Sequence, residues 1–92
     1  MGAFVGGSAP AMARQVCDGY TLLSQVSLKR LSLEQMRSLE FEMDKKLREA
    51  RSDIVDQEDQ IALSSRNRRI SRIDGALRVL RHTVQQKKRG RL

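Results

Sequence analysis

The sequence predicts an all-α fold: an antiparallel two-helix hairpin with a long helix over about 32–62, a second over about 66–86, an N-terminal arm and a basic C-terminal tail. Three observations predict it. Apolar residues recur at three-and-four spacing in two separate runs, residues 32–62 contain neither glycine nor proline, and the two apolar phases do not join.

The first seventeen residues, MGAFVGGSAPAMARQVC, hold three glycines, four alanines, one arginine and no acid, which suits a flexible tail or a targeting segment. The apolar AFV is short for a secretory core, and a single arginine is little for a transit peptide. Residues 18–31, DGYTLLSQVSLKRL, read as an arm laying Leu22, Leu23, Val26 and Leu28 on the hairpin.

Ser32 and Gln35 have the spacing of a capping box, which satisfies free amide donors at a helix start. Glu34, Glu40 and Glu42 suit the positive end of the helix dipole that follows. The seam runs Leu33, Met36, Leu39, Met43, Leu47, Ala50, Ile54 and Ile61, weakening at Glu40 and Gln57. A second stripe runs Ile70, Ile73, Leu77, Leu80 and Val84, with Leu63 one heptad earlier in the same phase. Ile61 and Leu63 belong to different phases, and SSRN at 64–67 offers turn and cap chemistry there, so the turn is placed at 62–67. A single long helix with a stutter in its repeat is the alternative. Gly75 sits inside the second stripe, marking either a close approach or a tolerated surface position. The residues beyond Val84, QQKKRGRL, show no periodicity and read as a basic tail over 87–92.

At 92 residues, 39% hydrophobic and 3% aromatic, the chain forms one small domain with a thin core, and a partner that completes it is expected. One cysteine, Cys17, cannot make an internal disulfide, and the one histidine, His82, lies 65 positions away, so no metal site or cofactor is expected. No apolar run approaches the ~20 residues that cross a bilayer. His82, Cys17 and Tyr20 are scattered, which argues against an enzyme. On a continuous helix Asp53, Asp56 and Asp59 would share part of one face, where a solvated or arginine-pairing surface is a better reading than a hydrated cation. The glycines of GAFVGG have no strand and helix around them to make a phosphate loop.

Charge is polarised along the chain. Residues 1–33 carry +2, residues 34–65 carry −4 and residues 66–92 carry +9, which together make the net +7. A basic half this strong implies an anionic partner, because the acids of the first helix are themselves partly offset by local bases. Arg66, Arg68, Arg69, Arg72, Arg78, Arg81, Lys87, Lys88, Arg89 and Arg91 are the candidate nucleic-acid-binding residues. Most are arginine, whose paired donors fit phosphate. With almost no aromatic residues interleaved for stacking and no helix-turn-helix spacing, contact with the phosphate backbone is expected rather than base reading.

The order LSLEQMRSLEFEMDKKLREARSDI followed by NRRISRIDGALRVLR resembles the large-subunit ribosomal protein family called L-twenty-nine. The family's Ser/Thr-x-Glu-Glu-Leu helix start is matched loosely by Ser32 to Met36. Its arginine-rich second helix is matched by Arg68, Arg69, Ile70, Ser71, Arg72, Ile73 and, with one residue skipped, Leu77 to Leu80. The family's Asn-Pro element before the second helix is absent, the acidic stretch 53–59 is unusual, and residues 1–30 have no counterpart. The resemblance covers residues 31–81. It implies a non-catalytic hairpin on ribosomal RNA and neighbouring ribosomal proteins, near the polypeptide exit of a large subunit, with Arg68, Arg69 and Arg72 on rRNA. The added arm suits an organellar, mitochondrial ribosome; otherwise the location is cytoplasmic. The first helix is also similar to the opening of the keratin-like dimerisation helix of plant MADS-box factors. That similarity implies the competing class: a coiled-coil homodimer or an assembly subunit docking on an acidic protein or membrane surface.

Overall fold

The computed structural model describes residue 4 and residues 7–90, and over these the chain is all-helical, with no strand. Four helices follow in order: α1 Ala9–Cys17, α2 Gln25–Leu28, α3 Leu33–Ser52 and α4 Gln60–Lys88.

Helix α1 corrects the expectation of a flexible tail for its own residues; residues 1–3, 5 and 6 lie outside those described. Ser8 caps it, accepting from the Ala11 N–H at 3.2 Å, and Pro10 occupies the first turn, where its missing N–H costs nothing. Ala9, Met12, Ala13, Val16 and Cys17 fall on one face and are buried. The helix ends in a Schellman arrangement: the Tyr20 N–H donates to Gln15 O at 2.9 Å and the Gly19 N–H to Val16 O at 3.2 Å. Gly19 has φ +85°, a conformation that strains any residue with a Cβ.

The arm is partly as expected. Ser24 and Ser27 form a reciprocal capping box around the single turn of α2, and Leu23, Leu28 and Leu31 are buried. Leu22 and Val26 are exposed instead, because one helical turn presents Leu28 to the core and turns Val26 away.

Helix α3 starts at the predicted box: the Gln35 N–H donates to Ser32 Oγ at 3.1 Å and the Ser32 N–H to Gln35 Oε1 at 2.8 Å. It stops at Ser52, nine residues before the apolar pattern does. Ile54 and Ile61, both read as seam residues, are 95% and 84% exposed. The cause is aspartate chemistry. Asp53 is extended at φ −67°, ψ 124°; Asp56 Oδ1 accepts from the Glu58 N–H at 3.0 Å in a tight turn; and Asp59 Oδ1 caps α4 by accepting from the Ala62 N–H at 3.0 Å. The loop therefore spans 53–59 rather than 62–67, and residues 64–67 lie inside α4. Both the continuous helix and the first placement of the turn are thereby overturned, and Lys87 and Lys88, assigned to a tail, form the last turn of α4.

The two long helices pack together. Arg66 reaches Arg51 and Arg81 reaches Glu40, so α3 and α4 run in opposite directions. At 1.5 Å per residue α4 is about 43 Å long, most of the molecule's 48 Å longest dimension. Met36, Leu39, Met43, Leu47 and Ala50 meet Ile73, Leu77, Leu80 and Val84, with Leu33 and Ile70 partly buried at the margin. Helix α1 covers this seam with Met12, Ala13, Val16 and Cys17, so the chain's own N-terminal segment completes the core. Thr83 is buried as well, its hydroxyl donating to Val79 O at 2.8 Å.

Two outcomes follow in urea denaturation. Leu77→Ala, at a fully buried seam position, lowers stability by about 2–5 kcal/mol, whereas Ile54→Ser stays within about 0.5 kcal/mol of the parent. Gly75→Ala raises stability by roughly 0.5–1 kcal/mol, because a Cβ at this helical position meets no atom within 4 Å.

Candidate anion-binding surface

The arginines of α4 divide into those that hold the fold and those that face solvent. Arg66 Nη2 donates to Arg51 O at 2.8 Å and Arg72 Nη1 to Cys17 O at 2.7 Å. Both acceptors are carbonyls in the last turns of α3 and α1, which have no partner inside their own helices and carry the negative end of the dipole. The Schellman bonds take up Gln15 O and Val16 O, and Arg72 answers the next carbonyl. In α3 the Ser52 hydroxyl serves Arg48 O and Glu49 O at 2.9 and 3.1 Å, and Arg66 serves Arg51 O. Arg66 Nε is buried without a partner. Arg72 also adds to the requirement at position 19, where a Cβ would lie 3.2 Å from its guanidinium carbon.

Three further arginines are ion-paired. Arg69 meets Asp18 at 3.1 Å, Arg78 meets Asp74 one turn back at 3.3 Å, and Arg81 meets Glu40 at 2.9 Å and Asp44 at 3.7 Å. These pairs are partly exposed and each contributes on the order of 0–1 kcal/mol. Their larger effect is to cancel charge. Arg66 and Arg72 bond neutral carbonyls and keep their full charge.

Facing outward, Arg68 makes one weak contact, to Ser64 Oγ at 3.4 Å. Lys87, Lys88 and Arg89 have no carboxylate partner among the described residues, and Arg91 lies outside those described. Of the ten candidate residues, Arg66, Arg69, Arg72 and Arg81 are thus engaged with other helices, and the unneutralised charge divides between Arg66, Arg68 and Arg72 and the end of α4. There an open groove of about 530 Å³ lies between the helices, lined by Arg37, Glu40, Arg81, His82 and Lys88. Its one carboxylate among these is held by Arg81. Arg37 was missed in the sequence because it belongs to the net acidic half, and His82 because it reads as a solvated position; antiparallel packing brings residue 37 to residues 81–88. The usable signal was the seam itself, since pairing Met36 with Val84 puts Arg37 on the same edge.

This arrangement can bind phosphate or carboxylate oxygens by charge-assisted hydrogen bonds. It does not assemble a nucleophile and base. Cys17 lies in the core beside Arg72, and His82 is ten residues, about 15 Å, further along α4. Burial pushes the Cys17 thiol above its ordinary range, against the opposing pull of Arg69, Lys46 and Arg72. Among the described residues no group of His, Cys, Asp and Glu is placed to hold a metal ion, and the loop carboxylates of Asp56 and Asp59 accept from backbone amides. Among the described residues no helix is long and apolar enough to cross a membrane.

Thiol chemistry tests the Arg72 clamp. In the native protein Cys17 reacts with a disulfide reagent far more slowly than in urea, and Arg72→Met accelerates the native reaction several-fold as α1 loosens. The sign separates causes: removing the Arg72 charge alone raises the thiol pKa and slows the reaction, so acceleration reports exposure. No protein-family model, no curated protein and no solved structure matches the chain.

Proposed function

We propose that this protein is a non-catalytic RNA-binding structural component of a large ribosomal subunit, of the organellar type, with α3 and α4 acting as a hairpin that lays its outward cations on rRNA phosphates. One observation carries the reading. After the fold has used its arginines internally, Arg68, Lys87, Lys88 and Arg89 still point unneutralised cations outward over the second half of the chain. Phosphate is an anion that such unneutralised cations fit, since contact with a nucleic-acid backbone is made through charge and requires no base edge. The resemblance of residues 31–81 to the L-twenty-nine family points the same way. In this role Arg66, Arg69 and Arg72 act first on the fold, and their contribution to RNA is the charge that Arg66 and Arg72 retain.

A second reading has its own observation. Tyr20, Leu22 and Val26 are exposed within seven residues and are followed by exposed Lys29 and Arg30, an apolar and basic surface of the kind an acidic protein partner covers. The coiled-coil homodimer is less favoured, because the seam it would use is buried within one chain.

Salt dependence separates these readings. Binding of large-subunit rRNA fragments weakens with salt by about 0.7–0.9 in log–log slope per phosphate contacted, and the double variant Arg68→Glu, Arg89→Glu reduces that slope by about two contacts while leaving the melting curve unchanged. The parent protein also co-sediments with large ribosomal subunits after a moderate salt wash. A chain that ignores RNA and instead forms a complex with an acidic protein, lost on Leu22→Asp, would establish the second reading.

A further inference from the structure

A smaller hollow of about 280 Å³ adjoins the cationic groove, lined by Phe41 with Arg37, Glu40, Asp44 and Arg81. Phe41 is 63% exposed, while the α3 seam at Met36, Leu39, Met43 and Leu47 faces the core. The fold makes little use of this ring, in a chain whose aromatic content is 3%. Arg37 lies one helical turn before it on the same flank and lines both hollows, so an aromatic surface and a phosphate-seeking cation share one edge.

Resting on the RNA-binding reading above, we propose that the paired hollows hold one unpaired nucleotide, its base stacked on Phe41 and its phosphate held by Arg37, His82 and Lys88. Stacking requires a base whose face is free, which a duplex does not offer, so the strand bound here is single-stranded. Every base has such a face, and recognition is tolerant of sequence. Asp44 lines only the Phe41 hollow and repels phosphate there, while Glu40, which lines both hollows, is held by Arg81. The phosphate is thereby favoured on the side of His82 and Lys88, which line only the larger groove. The site joins a feature of α3 to a feature of α4 and needs no movement of either helix.

The test compares an unstructured single-stranded RNA oligonucleotide with a duplex of equal length, using the full chain. Phe41→Ala weakens single-strand binding roughly 5- to 100-fold, with duplex affinity and salt slope unchanged, as expected for losing one stacked base. Arg37→Glu lowers both the affinity and the slope, by about one phosphate. Phe41→Trp retains affinity, and its indole, the sole tryptophan of the chain, is quenched as the single strand is added. Both Phe41 variants keep the parent's circular dichroism and melting temperature, because the ring is largely outside the core. Unchanged affinity in Phe41→Ala together with unquenched emission in Phe41→Trp would overturn the nucleotide site, while the RNA-binding reading stands if Arg68→Glu, Arg89→Glu still weakens binding. A parent protein with no affinity for either RNA brings down that reading and the site with it.

Discussion

An α-helix leaves its last carbonyls without partners inside the helix, and wherever that end meets the interior something else must supply donors. Here two helix ends, Cys17 of α1 in the core and Arg51 of α3 at the surface, are met by guanidinium groups from α4. Arg72 and Arg66 lie six residues apart and tie the two other sizeable helices to the longest one. Both contacts are made by the positive end of a side chain on the negative end of a helix dipole, which makes them stronger than a bond between neutral groups. The position of α1 depends on this arrangement, and with it the closure of a core that two helices alone would leave open along one side.

The same constraint explains how a strongly basic helix can be both structural and available to an anion. A guanidinium has five donors, and one bond to a neutral carbonyl leaves its charge intact. Pairing with carboxylates behaves differently: Asp18, Asp74, Glu40 and Asp44 remove charge locally at Arg69, Arg78 and Arg81. The outcome is a helix neutralised at Arg69, Arg78 and Arg81, with uncancelled charge at Arg66, Arg68 and Arg72 and again beyond residue 86. The groove beside His82 lies where that second region meets Arg37 from α3.

Aspartate does the corresponding work between the long helices. An apolar repeat that reaches Ile61 argues for continuing the helix, yet Asp53 turns to an extended conformation and Asp56 and Asp59 commit their side-chain oxygens to a tight turn and a cap. Two isoleucines are left in solvent as a consequence. Local hydrogen bonding by Asp56 and Asp59 outweighed the burial that the two isoleucines would have supplied.

The sequence by itself determined the helical class, the start of α3 at its Ser32–Gln35 box, the seam from Met36 to Leu47 and from Ile73 to Val84, and the polarity of charge, since each of these depends on residues within a few positions of one another. It was misleading over 53–67, where periodicity and aspartate chemistry pointed to different boundaries, and over 9–17, where a small-residue composition concealed a buried face. Tertiary structure alone decided which arginines are consumed and which remain, because Asp18, Cys17 and Arg51 are 15 to 55 positions distant from their α4 partners. The meeting of Arg37 and Phe41 with residues 81–88 was decided the same way. It follows from the antiparallel packing of α3 on α4, and the length of the loop between them sets which residues of the two helices face each other.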